Sequence, residues 1–464
     1  MTIFKAYDIR GVVGQDLTIE KAYLIGFYLP EFLKVTELKV AHDLRESQEL
    51  LTKCFIQGAL DAQAKIVYLG ESSTPNFYYS LFQLGGTGVQ ITASHNPKEY
   101  NGFKIMHGLD FLDAKTGLVE FGNIVEADPK QRRGHFEFIS KKLSKISFSR
   151  YLKKSNIEKQ SQKKVYIEYL KDLYKKILTR AERAKAKELK IGMDFSSGVS
   201  SLAMVPLVKK LKLSTVLYNH EPNGAFPIHS PDPNKAGEFL AKQTETVDSV
   251  VVFDGDGDRM MVYDETKKVI PQDLVIAKFM DSLSGTEHHF CCDLTVSRCV
   301  EKLGEQKGFT VQRLAVGRSK FTPYMKDKDV AFGGELSGHI FFREFRYFDN
   351  PDIAFMYYLK FRVQENTIPA SKMFEKYNFF VKNPTVNVQV EDANKSLELL
   401  KQKFTANIVS ELDGISFDFG EYWFNVRKSN TEPIVRITLE GKNKDVVAKQ
   451  LVLIKSMLGG VDHH

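Results

Sequence analysis

Cysteine is scarce in this 464-residue chain: there are four, two of them adjacent at Cys291 and Cys292, and no C-x-x-C pair occurs. That spacing argues against a disulfide framework and a zinc site, and implies a cytoplasmic protein with inert thiols. No apolar run approaches the ~20 residues of a bilayer span, so no membrane partner is expected. Met1 to Arg10 contains no hydrophobic signal core, so no secretory signal is expected. The Gly-x-Ser-x-Gly elbow of serine hydrolases is also missing. What remains has 43% hydrophobic and 27% charged residues, the balance of a soluble globular protein. Its length corresponds to about three or four domains.

Net charge is +7, and much of the excess lies between Lys141 and Lys190. No nucleic-acid motif and no base-stacking aromatics accompany these lysines, so no nucleic-acid partner is expected. Tyr166, Tyr169, Leu170, Leu173 and Ile177 recur at helical spacing, which predicts an amphipathic helix with a lysine-rich outer face. A basic field also favours small anionic substrates.

The densest chemistry lies in Asp254-Gly255-Asp256-Gly257-Asp258-Arg259, directly after the apolar run Val250-Val251-Val252-Phe253. The run predicts a buried strand, so the aspartates fall at its C-terminal edge, where open α/β sheets bind ligands. Carboxylates this close repel unless a cation holds them, and hard oxygen donors without Cys or His favour Mg²⁺ over Zn²⁺. Asp254, Asp256, Asp258 and Glu265 also match an EF-hand at its first, third, fifth and twelfth positions. The sixth is Arg259 where that loop needs Gly, and a strand stands where it needs a helix, so the EF-hand fails. A solvated acidic turn is the plain alternative.

Strands and helices alternate through the first three quarters of the chain. Three segments resemble one another: Leu38 to Asp43, Ile191 to Asp194 and Phe290 to Asp293. Each is an apolar strand ending in Asp, followed by a polar turn and a helix that Ser or Asp could N-cap. Three related α/β domains in tandem are therefore expected. The last ~95 residues differ, with strict alternation over Val386 to Val390 and helical patterns at Ala393–Phe404 and Asp445–Met457, as in a smaller α+β domain. The expected boundaries give domains at 1–150, 151–266, 267–367 and 368–464.

Three further clusters carry chemistry. Thr92-Ala93-Ser94-His95-Asn96-Pro97 follows a short strand, and Asn-Pro forces a turn that exposes Ser94 beside His95. A serine hydroxyl is a weak nucleophile and needs a base, a metal or prior modification. Lys104 and Arg10 can bring cations to the same place. Glu335, Ser337 and His339, in a glycine-flanked loop, suit sugar hydroxyls. Arg427-Lys428-Ser429-Asn430-Thr431 can form an anion-binding nest. Singly, each reads equally as an ordinary polar turn.

Together with Tyr7-Asp8-Ile9-Arg10-Gly11, these motifs resemble the α-D-phosphohexomutase family, in its phosphomannomutase/phosphoglucomutase branch, in order and spacing across essentially the whole chain. The resemblance implies an α/β fold of four domains in a heart shape, three related and a smaller C-terminal α+β domain, with the active site in the central cleft. It implies that Ser94 is phosphorylated and that Asp254, Asp256 and Asp258 hold Mg²⁺ against that phosphate. Arg10, His95, Lys104 and Arg259 would position phosphate or shuttle protons. Glu335 and Ser337 would bind sugar hydroxyls with His339 nearby, and Arg427, Ser429, Asn430 and Thr431 the non-reacting phosphate. The implied partners are hexose phosphates, with a hexose 1,6-bisphosphate intermediate, acted on by a monomer or homodimer. The implied reaction interconverts mannose 6-phosphate and mannose 1-phosphate, with glucose phosphates as further substrates. The alternatives are a phosphoglucomutase, a phosphoglucosamine mutase or a non-catalytic sugar-phosphate-binding relative. Two positions depart from the branch: Thr295 stands where Lys is frequent, and Arg318 where Gly-His-Ser places His.

Overall fold

In the computed structural model, which describes residues 2–127, 136, 141–283, 287–428, 434–458 and 461–462, the Val250–Phe253 run forms the strand Ser249–Phe253, buried throughout. It lies parallel to Lys190–Asp194, itself parallel to Ser214–Tyr218, and turns back into the antiparallel strand Met260–Tyr263. A strand covered on both faces needs apolar side chains at successive positions, which Val-Val-Val-Phe supplies.

The N-terminal sheet has the same parallel core. Glu37–His42 lies between Lys65–Glu71 and Thr87–Ile91, both parallel to it. Tyr100–His107 returns antiparallel to Thr87–Ile91, and Ile9–Val12 pairs antiparallel beyond it. A third sheet has the order Thr310–Leu314, His289–Asp293, Phe332–Gly334, Ile340–Phe342, Phe348–Asp349. The C-terminal sheet is antiparallel, built around Tyr422–Lys428 and Ile434–Gly441. Its core joins Val388, Phe417, Phe424, Val435 and Leu439, with helices Ala393–Lys403 and Lys444–Leu458. The fold is thus four mixed α/β domains.

The threefold repeat has a concrete local form. Each related strand ends in a buried aspartate whose Oδ1 accepts the backbone N–H two residues on. Asp43 accepts from Arg45 at 3.0 Å, Asp194 from Ser196 at 2.8 Å and Asp293 from Thr295 at 2.6 Å. These Asx-turns swing the chain from strand to helix. The expected helix caps form differently. Ser47 and Ser200 occupy N-cap positions without a side-chain cap bond, and Arg298 is the third N-cap. The aspartate already directs each turn, and Ser47 Oγ instead accepts from Asn101 Nδ2 at 2.9 Å.

The lysine-rich helix spans Lys163–Ile177 and buries Tyr166, Ile167, Leu170, Leu173, Tyr174 and Ile177. Lys171 and Lys175 pair with Glu168 and Asp172 on its outer face, so part of the basic run is neutralised locally. No helix among the described residues is long and apolar enough to cross a membrane.

Met1–Val269 and Asp349–Ala370 form one compact unit; Ile270–Phe348 and Ser371–His464 form another. In the first unit, helix Pro351–Gln364 packs on the lysine-rich helix, and Asp352 Oδ2 accepts the Tyr166 hydroxyl at 2.7 Å. Burial raises the Asp352 carboxyl from 3.8 to about 7, although the Tyr166 bond opposes the shift. A carboxyl harder to ionise when folded costs stability as pH rises. The penalty is absent below about pH 4, grows between about 4 and 7 and is then constant, at most about 4 kcal/mol. Asp352→Asn keeps an acceptor for Tyr166 without the charge. Its apparent Tm should exceed the parent's by several degrees at about pH 8, with the gap closing toward about pH 4; a gap that ignores pH would contradict this assignment.

Candidate active site

The candidate residues divide between the two units. In the first, the Ser94 turn and the aspartate loop both leave the C-terminal ends of parallel strands, Thr87–Ile91 and Ser249–Phe253. Ser94 Oγ donates to Asp254 Oδ2 at 3.2 Å and lies 3.3 Å from His95 Nδ1. Ser94 has φ of 54°, a left-handed conformation that is uncommon outside glycine and frequent at functional turns. A Cβ on Gly255 would stand 2.8 Å from the Ser94 carbonyl oxygen, so glycine at 255 lets the two loops approach.

Asp254 Oδ1 closes its own loop by accepting from the N–H groups of Asp258 at 2.9 Å and Arg259 at 3.1 Å. Lys104 reaches in from strand Tyr100–His107, its Nζ 2.5 Å from Asp256 Oδ2 and 2.6 Å from Asp258 Oδ2. Thr74 Oγ1 donates to Asp256 Oδ2 at 2.6 Å. Arg259 Nε lies 3.8 Å from Asp254 and 3.9 Å from Asp258. Arg10, opposite Gly102 in the strand register, donates to Asn96 Oδ1 at 2.7 Å and pairs with Asp8 at 2.5 Å.

Burial, with the charges of Asp258 and Asp256, pushes the Asp254 carboxyl well above the usual carboxylate range. Burial and Asp258 also oppose ionisation of Asp256, but the Lys104 ammonium and the bonds from Lys104 and Thr74 outweigh them and lower its pKa. All three carboxylates are buried and offer oxygens within 4.8 Å of one another. Asp256 Oδ1 has no hydrogen-bond partner among the described residues. Buried oxygens so arranged fit a hard divalent cation.

In the second unit, Glu335, Ser337 and His339 lie in the turn between Phe332–Gly334 and Ile340–Phe342. Glu335 Oε1 accepts from Gly317 N at 2.6 Å; its Oε2 lies 2.7 Å from His339 Nδ1 and 3.1 Å from Ser337 Oγ. Burial favours the neutral acid, but the bond and charge of His339, with Gly317 and Ser337, bring its pKa below the ordinary value. Asp293 Oδ2 accepts from Leu336 N at 2.6 Å and so ties this turn to the end of strand His289–Asp293. Thr295 bonds back onto Asp293, and Arg318 opens helix Arg318–Lys328. Arg427 stands opposite Arg436 in the antiparallel register, its Nη1 3.2 Å from Asp413 Oδ2. Ser429, Asn430 and Thr431 lie outside the described residues.

Sequence reasoning missed Arg45, Thr74 and Thr92. Arg45 is buried and donates to the Ser94 carbonyl at 2.7 Å, and Thr92 Oγ1 accepts from Ser94 N at 3.0 Å. An arginine two residues past a strand-ending aspartate was the available signal for Arg45.

Models of the phosphoglucomutase/phosphomannomutase domains match residues 1–116 (alpha/beta/alpha domain I), 164–267 (domain II), 274–378 (domain III) and 386–455 (C-terminal domain). A phosphomannomutase from Methanocaldococcus jannaschii is 30% identical, over 100% of this chain and 98% of that protein. A phosphomannomutase/phosphoglucomutase from Pseudomonas aeruginosa is 29% identical, over 99% and 96%. The crystal structure of a phosphoglucomutase/phosphomannomutase family protein from Burkholderia thailandensis superposes with a TM-score of 0.80 at 24% identity, covering 100% of both chains.

Proposed function

Because this chain belongs to the phosphoglucomutase/phosphomannomutase family and is a mutase, we propose that it interconverts mannose 6-phosphate and mannose 1-phosphate, and takes glucose phosphates as further substrates. The observation that carries the mechanism is the Ser94 hydroxyl, 3.2 Å from a buried carboxylate of the aspartate triad. Phosphorylated Ser94 gives its phosphoryl group to the free hydroxyl of a hexose phosphate. The new sugar O–P bond forms as the Oγ–P bond breaks. The resulting hexose 1,6-bisphosphate turns over, and its other phosphoryl group returns to Ser94: the Oγ–P bond forms as the second sugar O–P bond breaks, and the Oγ proton passes to the released sugar oxygen.

Phosphoryl transfer is mainly positioning and charge stabilisation. Asp254, Asp256 and Asp258 are the residues that would hold Mg²⁺, which when bound neutralises charge on phosphoryl oxygens. Arg259 and Arg10 orient the phosphate, and Lys104 adds a third cation. His95, beside Oγ, moves the proton there. Glu335, held ionised, accepts bonds from sugar hydroxyls, with Ser337 and His339 as its partners. Arg427 binds the non-reacting phosphate together with Ser429, Asn430 and Thr431.

Two measurements on one preparation test this reading. kcat/KM should be highest for mannose 1-phosphate, then glucose 1-phosphate, and lowest for glucosamine 1-phosphate, with a trace of hexose 1,6-bisphosphate as activator. Mass spectrometry should find a phosphoryl group on the peptide containing Ser94. A preference for the glucosamine substrate, or a phosphate on another residue, would displace the proposal.

A further inference from the structure

Arg45 satisfies five acceptors with the five N–H donors of its guanidinium. Nε donates to Asp43 Oδ2 at 3.1 Å. Nη1 donates to the carbonyls of Pro97 at 2.7 Å and Tyr100 at 3.0 Å, and Nη2 to those of Ser94 and Asn96, both at 2.7 Å. Its exposure is 1%. Asp43 Oδ2 also accepts from Thr92 Oγ1 at 2.7 Å, and that hydroxyl oxygen accepts the Ser94 N–H. The Ser94 peptide is thus gripped at both its N–H and its C=O, while its φ sits in the left-handed region.

A loop of the second domain covers this arrangement. The Phe226 ring lies 5.0 Å from the guanidinium carbon, and Gly224 pairs with Arg45 in an isolated parallel bridge. A Cβ on Gly224 would fall 1.9 Å from the Leu44 carbonyl oxygen, so glycine there permits the contact.

We infer that Arg45, clamped from outside by Phe226, is the positioning residue that holds the Ser94 turn in the conformation that presents Oγ to the aspartate loop. The inference rests on the functional reading above for its effect on turnover, but the holding itself is a property of the fold. Lysine cannot replace it: an ammonium has three donors from one point, against a planar fork of five, and leaves buried carbonyls unpaired.

Arg45→Lys, Arg45→Gly and Phe226→Leu test it in the full-length enzyme. Arg45→Lys should lower kcat by about 100-fold, the scale of a misplaced reacting group, with KM for hexose 1-phosphate changed less than about threefold. Phe226→Leu should shift kcat the same way by less. Guanidinium ion should restore part of the lost kcat to Arg45→Gly but none to Ser94→Ala. Amide exchange across residues 92–97 should accelerate in Arg45→Lys while the rest of the first domain keeps its protection. A folded Arg45→Lys with parental kcat and parental exchange overturns the inference. If Arg45→Gly does not fold, the lysine variant decides alone. A parent without hexose-phosphate turnover overturns the functional reading instead, and the exchange measurement still decides the role of Arg45.

Discussion

Ser94→Ala should lower hexose 1-phosphate turnover by roughly 10⁴-fold or more, the scale seen when a covalent nucleophile is removed. The loss should appear in kcat, with substrate still binding within a few-fold by calorimetry. Alanine asks nothing new of the backbone at φ 54°, and it deletes only the hydroxyl that donates to Asp254. Melting curves of parent and variant should therefore nearly overlay. The coupled assay with added hexose 1,6-bisphosphate is the decisive measurement. Substantial turnover in the alanine variant would falsify the phosphoserine route, because the other hydroxyls named at this site, Thr74 and Thr92, are committed to Asp256 and Asp43.

Lys104→Met should destabilise the protein strongly in chelator and far less in millimolar Mg²⁺. The Lys104 ammonium sits between Asp256 and Asp258, all three groups nearly or fully buried. Removing one partner of such a set leaves buried carboxylates uncompensated, a loss of about 3–5 kcal/mol. A divalent cation binding the same oxygens restores the balance and stabilises the fold by mass action. Scanning calorimetry in the two buffers checks this. An equal drop in both would mean that the carboxylates do not take the cation, and no drop in either would mean that they are screened by something other than Lys104. The lysine thus has a structural duty apart from any part in proton transfer.

Local patterns were readable wherever the chemistry was contiguous in the chain. Val250 to Asp258 announces both a buried strand and its acidic turn, and the helical stripe beginning at Tyr166 announces its own burial. What could not be read depends on the order of strands in the sheet. Lys104 reaches Asp256 and Asp258 across 152 and 154 residues, and Thr74 reaches Asp256 across 182; no spacing rule covers such distances. Arg45 lies in a polar turn where its guanidinium has Asp43 as a local partner, and its bonds to the Ser94–Tyr100 carbonyls appear once Tyr100–His107 has folded back beside Thr87–Ile91. The serine caps were misjudged for a related reason: the aspartate at each strand end had already directed the turn. No local pattern announces that helix Pro351–Gln364 packs within the first unit, while the sequence on either side of Asp349–Ala370 belongs to the second.

The left-handed geometry of Ser94 also restricts which amino acids could serve as the phosphoryl carrier. Threonine has the same hydroxyl and nearly the same reactivity, but a β-branched residue at φ 54° is a true conformational outlier. Glycine would accept the angle and has no oxygen. Between the two aliphatic hydroxyl residues, stereochemistry here selects serine before any catalytic demand is made. A threonine phosphoacceptor at this position would therefore require the turn to be rebuilt first.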